Sequence, residues 1–191
     1  MFEQFADHEL PAERGTIFAR VGGSGPPLLL LHGYPQTHLM WHAAAALLAE
    51  RFTVVATDLA GYGASLRPVP APDHVPQSKR ALAVDQVQAM AALGYERFAV
   101  AGHDRGGRVA YRMALDHPDR VTAVAVLDVV PTGEVWARAG ARLALAYWHW
   151  VFLAQPAPYP SVLSPATRTR SSTCTCAHSA SDVHTVATRT S

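Results

Sequence analysis

The chain has 191 residues, 49% hydrophobic and 16% charged, which is enough to bury one sizeable core within a single domain. A formal net charge of +1, with no block of Lys and Arg, excludes the electrostatic footprint of a nucleic-acid binder. Met1 to Arg20 mixes Glu3, Asp7, Glu9, Glu13 and Arg14 with apolar residues, unlike a secretory signal, and Leu28 to Leu31 falls far short of the roughly 20 apolar residues a membrane span needs, so a cytoplasmic protein without a membrane anchor is expected.

In chain order, Thr16 to Val21 and Pro27 to Leu31 read as strands separated by a hairpin-like turn cluster, Gly22-Gly23-Ser24-Gly25. The Ala and Leu content from Thr37 to Glu50 predicts a helix, and Phe52 to Thr57 a β-branched strand ending at Asp58. Ser78 is a candidate N-cap for a helix carrying Leu82, Val87, Met90 and Leu93, which Gly94 stops. Phe98 to Gly102 is a further short strand. A glycine-rich turn then leads into a helix through Tyr111 and Met113 that ends near His117-Pro118, followed by a strand from Val121 to Leu127. Strands alternating with helices predict an α/β fold, a mostly parallel sheet with helices on both faces, over residues 1–135.

Residues 136–160 read differently: Trp136 to Ala154 is helical and carries Tyr147, Trp148, Trp150 and Phe152, as the start of a helical lid would. Beyond Pro160, Ser and Thr dominate and no period of a helix or strand survives, so residues 161–191 are expected to be a disordered tail. Cys174 and Cys176, one residue apart in that tail, fix neither a redox compartment nor a metal site, and no cofactor is expected.

Gly102-His103-Asp104-Arg105-Gly106, after a strand and opening a helix, has the G-x-nucleophile-x-G spacing of a nucleophile elbow with Asp in place of Ser. A carboxylate displaces a leaving group at saturated carbon to form an alkyl ester, which points to C–halogen or epoxide C–O cleavage. The plainer alternative is that Asp104 only caps the helix. His32-Gly33-Tyr34-Pro35 follows an apolar strand at the place where such folds put a backbone N–H against developing negative charge.

With these motifs, and with Gln36-Thr37, Asp58-x-x-Gly61-Tyr62-Gly63, Gly107-Arg108, Asp116-His117-Pro118 and Tyr147-Trp148-His149-Trp150 in the same order, the chain resembles the fluoroacetate or haloacetate dehalogenases of the α/β-hydrolase superfamily. The resemblance implies an α/β-hydrolase fold that is incomplete at its C-terminal end. It implies Asp104 as nucleophile, Arg105 and Arg108 as the grip on a haloacid carboxylate, and Asp128 as the acid that orients a catalytic histidine. Tyr34 would lie over the site with its N–H toward the anion. His149 and Trp150 would hold the departing halide; the competing reading makes them lid core. The implied partner is a small halogenated carboxylate, with no nucleic acid or membrane, and the resemblance admits a homodimer. Trp41, His42, His103 and His117 read as packing residues.

The match departs at Ala60, where the family usually carries a basic residue, and after about residue 160, where the rest of the lid, further strands and the general-base histidine are not recognisable. His178 and His184 lack a strand or turn to position a base and are not assigned to that role. A truncated or frame-shifted gene would produce this pattern. An epoxide hydrolase shares the Asp and the HG-x-P turn but usually places an aromatic residue after the nucleophile, where this chain has Arg105. A haloalkane dehalogenase has no use for two arginines, and a catalytically incomplete fragment is the remaining reading.

Overall fold

The computed structural model describes residues 2–69, 71–155 and 186–189. One sheet organises the first compact unit: β1 (Ala6–Ala12), β2 (Gly15–Gly22), β3 (Pro27–Leu31), β4 (Thr53–Thr57), β5 (Phe98–His103), β6 (Val121–Leu127) and β7 (Val186–Arg189), in the order β1-β2-β4-β3-β5-β6-β7. The central strands β4, β3, β5 and β6 are mutually parallel, while β1, β2 and β7 run antiparallel to their neighbours. The predicted mostly parallel sheet is therefore present at its centre. Of the tail, only β7 lies among the described residues, paired with β6 from Ala123 to Val126.

The hairpin expected between β2 and β3 is not formed, because β4 lies between them. The glycines serve a different purpose. Gly23 (φ 81°) and Gly25 (φ 130°) run tightly over the segment entering β4, where a Cβ on Gly23 would stand 2.3 Å from the Phe52 carbonyl oxygen and one on Gly25 2.5 Å from that of Arg51. The true hairpin joins β1 to β2 through Glu13-Arg14. Sequence reading misses β1 because this edge strand is mostly exposed, with only Leu10 buried.

Strand β3 shows why the central runs are continuously apolar. Leu28 and Leu30 face one cluster with Trp41, Ala45, Val54 and Ala56, whereas Leu29 and Leu31 face the other with Val55, Met90, Val109 and Met113. Trp41 and Ala45 belong to the segment after β3, so α1 (His42–Leu48) covers one face while α2 (Lys79–Ala92) and α3 (Arg105–Asp116) cover the other. The helix predicted over Thr37 to Glu50 opens as a separate 3-10 turn, His38–Trp41, with the Thr37 hydroxyl accepting from the Leu39 N–H.

Helix α2 begins where its sequence says it should. The Ser78 Oγ accepts from the Ala81 N–H at 3.1 Å, and at the other end Gly94 (φ 83°) allows the Tyr95 N–H to reach back to the Met90 carbonyl at 3.0 Å. Ser78→Ala should lower stability by about 1 kcal/mol, visible as a lower urea midpoint with an unchanged slope.

A second compact unit begins at Val130. Its described part holds α4 (Thr132–Ala137), α5 (Ala141–Ala146) and α6 (Trp148–Leu153), so the helical stretch predicted from Trp136 to Ala154 is three short helices, interrupted at extended Gly140 and at Tyr147. Within it the Trp150 ring packs against Tyr147 at 5.2 Å and Trp136 at 6.2 Å between centroids.

Candidate active site

The turn between β5 and α3 is forced by its glycines. A Cβ on Gly102 would lie 2.3 Å from the Gly106 carbonyl oxygen, and one on Gly106 2.4 Å from that of Leu31, so neither position accepts a side chain. Asp104 between them takes φ 47° and ψ −112°, a conformation an L-residue holds only when its surroundings impose it. Its own N–H donates to the Leu127 carbonyl at 3.1 Å, tying the turn to the end of β6.

The Asp104 side chain makes no capping bond to α3. Instead its Oδ2 accepts the Tyr34 backbone N–H at 3.0 Å, across 70 positions of sequence. The plain helix-cap alternative therefore does not describe this residue.

The loop that supplies that N–H is itself held. His32, buried at the end of β3, accepts the Leu59 N–H at Nε2 (3.0 Å), so its ring proton lies on Nδ1 and is donated to the Gly33 carbonyl (2.8 Å). Burial lowers the pKa of His32, and the nearby Arg105 charge acts in the same direction, against the Gly33 carbonyl and Asp58, which keeps the ring neutral and this tautomer intact. Gly33 has no room for a side chain, since a Cβ would stand 2.8 Å from that of Asp104.

Beneath this loop, Asp58 at the end of β4 is buried. Its Oδ1 accepts both the backbone N–H and ring Nδ1–H of His38 at 2.8 Å, and its Oδ2 accepts the Ala64 N–H at 3.0 Å. Burial pushes its carboxyl up, but the His38 and Ala64 bonds outweigh burial and leave the pKa lowered. Gly63 (φ 51°) closes over it. The Asp58-x-x-Gly61-Tyr62-Gly63 motif is thus a scaffold for the candidate site, a role that spacing alone does not reveal. Ala60, the position of the family's basic residue, is buried in the core.

Arg105 opens α3 next to Asp104. Its guanidinium lies 5.8 Å from the Tyr34 ring centroid and 5.9 Å from that of Tyr62, and it makes no hydrogen bond or ion pair among the described residues. Tyr62, whose hydroxyl burial pushes above its ordinary pKa, packs edge-on against His32 at 5.0 Å. Arg108 follows one turn later, its N–H donating to the Asp104 carbonyl at 3.1 Å.

Lys79, the first residue of α2, is a cation that sequence reading passes over, and the charges of Arg105, Arg108 and Asp104 act on it. Burial, with the Arg105 and Arg108 charges in the same direction and Asp104 opposing them, lowers its pKa to about 8. The available signal was a lysine at the first position of a capped helix, where the helix dipole disfavours positive charge.

The remaining candidates are placed less tightly. Asp128 follows β6 in a left-handed conformation (φ 51°) with its side chain 83% exposed, and its Oδ2 lies 3.5 Å from the Nε2 of His103. His103, expected as a packing residue, is thus the histidine that faces Asp128 among the described residues, and its Nδ1 is buried without a hydrogen-bond partner. His149 and Trp150 lie on α6 in the second unit, both in tilted ring contact with Tyr147. His178 and His184 fall outside the described residues. No cluster of three metal-ligating side chains occurs among the described residues, and no described helix is long and apolar enough to cross a membrane.

The α/β-hydrolase fold family matches residues 26–158, from the start of β3 through the elbow and beyond α6. The chain belongs to that family. Among its members, a fluoroacetate dehalogenase from Burkholderia sp is 56% identical over 160 residues, covering 84% of this chain and 53% of that protein. A soluble epoxide hydrolase from Corynebacterium sp. (strain C12) is 44% identical over 109 residues, covering 57% of this chain and 36% of the other. A solved structure from Nostoc sp PCC 7120, provisionally named an α/β hydrolase, superposes with a TM-score of 0.86 at 52% identity, covering 88% of this chain and 58% of its own. The chain therefore spans about half the length of the dehalogenase and of the Nostoc protein.

Proposed function

We propose that this chain carries the nucleophile half of a hydrolytic dehalogenase acting on a small 2-haloacid such as fluoroacetate or chloroacetate. In this reading one Asp104 oxygen attacks the α-carbon while the C–halogen bond breaks and the halide leaves with the bonding pair. The product is an ester between Asp104 and the carboxymethyl group, which water cleaves to glycolate in the complete enzyme. Arg105 and Arg108 hold the substrate carboxylate so that the carbon lies in line with Asp104. In the same reading the Tyr34 N–H, which donates to Asp104 Oδ2, stabilises the oxyanion that forms when the ester is hydrolysed. His149 and Trp150 are assigned to the departing halide, and Asp128 to the orientation of a base.

The observation that carries this reading is Arg105: a half-buried guanidinium beside the candidate nucleophile, held between two tyrosine rings with its N–H donors unpaired among the described residues. A neutral epoxide has no group that would pair with it. The 56% identity to a fluoroacetate dehalogenase agrees.

The test exposes the purified chain in parallel to fluoroacetate, chloroacetate and styrene oxide, following halide by ion-selective electrode and diol by chromatography. Halide release or alkylation by the acids supports the proposal, and diol formation without halide would replace it with an epoxide hydrolase. Arg105→Leu, which keeps the bulk and removes the charge, should slow alkylation by chloroacetate about 100-fold, the scale of one lost charge-assisted contact.

A further inference from the structure

Tyr62 has no part in the scaffold under the site or in the proposed displacement, yet its ring is held against the site. It sits between two left-handed glycines, Gly61 (φ 91°) and Gly63 (φ 51°). Its N–H donates to the Leu59 carbonyl at 2.9 Å, and its carbonyl accepts the Ser65 N–H at 3.1 Å. The ring meets His32 edge-on at 5.0 Å between centroids, and the Arg105 guanidinium carbon lies 5.9 Å from the ring centroid. His32 is fixed by its bonds to Leu59 and Gly33, so the ring has a rigid backing. Burial raises the Tyr62 pKa against the opposing Arg105 charge, so Arg105 meets a neutral ring rather than a phenolate.

Arg105 makes no hydrogen bond or ion pair among the described residues, adjacent Asp104 included, and the contacts of its guanidinium are with the Tyr62 and Tyr34 rings. The two rings are not equivalent. Tyr34 is 41% exposed, whereas Tyr62 is half-buried and backed by His32. A bidentate grip on a carboxylate needs the planar guanidinium in one orientation, and a free arginine side chain spreads over many. A partly desolvated ring attracts the cation and reduces that loss before the substrate arrives. We propose that Tyr62 is a positioning residue that holds the Arg105 guanidinium ready for the substrate carboxylate, and so sets the preference of this site for anionic over neutral alkylating substrates. The inference rests on the haloacid reading above.

Such a residue acts on the carboxylate end of the substrate and not on the displacement. An Asp104 oxygen bonds to the α-carbon and chloride leaves with the bonding pair, whether the other end of the molecule is a carboxylate or an amide. Loss of the Tyr62 ring should therefore slow alkylation by chloroacetate and leave alkylation by neutral chloroacetamide nearly unchanged. A ring that only filled space would slow both alike, because the His32 support and the Tyr34 N–H on Asp104 serve either substrate.

The experiment exposes the full chain to each reagent and follows the rate of modification at Asp104 by intact mass and peptide mapping. Tyr62→Leu should lower the acid-to-amide rate ratio about tenfold, the scale of one partly desolvated cation–π contact. Tyr62→Met, bulkier and also without a ring, should show the same loss, and Tyr62→Phe, which keeps the ring face, should restore the ratio. In the Arg105→Leu background, where the ratio has already fallen, Tyr62→Leu should lower it no further. Equal slowing of acid and amide in both ringless variants, or an unchanged ratio in them, would overturn the role of Tyr62. A loss as large in Tyr62→Phe, or one that persists without Arg105, would overturn it too. In each of these cases the haloacid reading stands if Arg105→Leu alone lowers the ratio. A ratio that Arg105→Leu leaves unchanged would remove both this inference and the proposed grip on an anionic substrate.

Discussion

Exposed to chloroacetate, the chain is expected to gain the mass of one carboxymethyl group on Asp104, and Asp104→Asn is expected to gain none. Asparagine keeps the side-chain shape and an oxygen able to accept the Tyr34 N–H, so the elbow should fold unchanged. What is lost is the anionic nucleophile. Loss of alkylation should reach about 10⁴-fold or more, as for removal of a covalent nucleophile elsewhere. Intact-mass spectrometry followed by peptide mapping reads the result directly. Modification of another carboxylate, or equal labelling of the Asn variant, would remove Asp104 from the proposed role.

The same measurement bears on the second half of the reaction. Among the described residues the histidine against Asp128 is His103, which lies on β5 immediately before the candidate nucleophile. An ester that persists for hours indicates that this histidine does not activate water. Repeated turnover, with halide in molar excess over protein, would indicate that a base in this chain activates the water.

Much of this was legible because the signals are local. The 102–106 elbow, the apolar run of β3 and the Ser78 cap each dictate geometry within a few residues, and the structure forms all three as read. The pairings that failed depend on distant segments. Nothing between Val21 and Pro27 indicates that β4 will lie between β2 and β3, because the glycines there serve a close approach to Phe52 rather than a hairpin. The site divides in the same way. Asp104, Arg105 and Arg108 share one turn of sequence and could be read together, and Tyr34 follows from its motif. The His38–Asp58 support comes from the turn after β3 and the end of β4, so only the folded chain brings it together beneath the loop.

The support under the site carries the largest expected effect on stability. A Cβ on Gly63 would overlap the Asp58 Oδ2, which accepts the Ala64 N–H, and Gly63 sits at φ 51°, where any side chain is strained. Gly63→Ala must therefore displace the buried carboxylate from its donors and should cost about 4 kcal/mol, the sum of a left-handed alanine and one or two broken charge-assisted bonds. Asp58→Ala leaves the His38 N–H, the His38 ring and the Ala64 N–H without their acceptor and should cost a similar amount, about 3–5 kcal/mol. The two changes cannot add. Once the carboxylate is gone the alanine at 63 meets no obstruction, so Gly63→Ala in the Asp58→Ala background should cost only the backbone strain, about 1–2 kcal/mol. Urea midpoints of the four proteins measure this coupling. The pH dependence supplies an independent check of sign: the Asp58 pKa is lowered in the folded chain, so its contribution is complete above the ordinary carboxylate range and is lost as the pH falls through the folded value. Asp58→Ala should therefore flatten the acid limb of the stability curve, whereas Gly63→Ala should weaken it in proportion to how far the carboxylate is pushed from His38. Additive costs in the double variant would mean that the loop accommodates a residue at 63 by moving away from Asp58, and the scaffold beneath the Tyr34 N–H would then be softer than its hydrogen bonds imply.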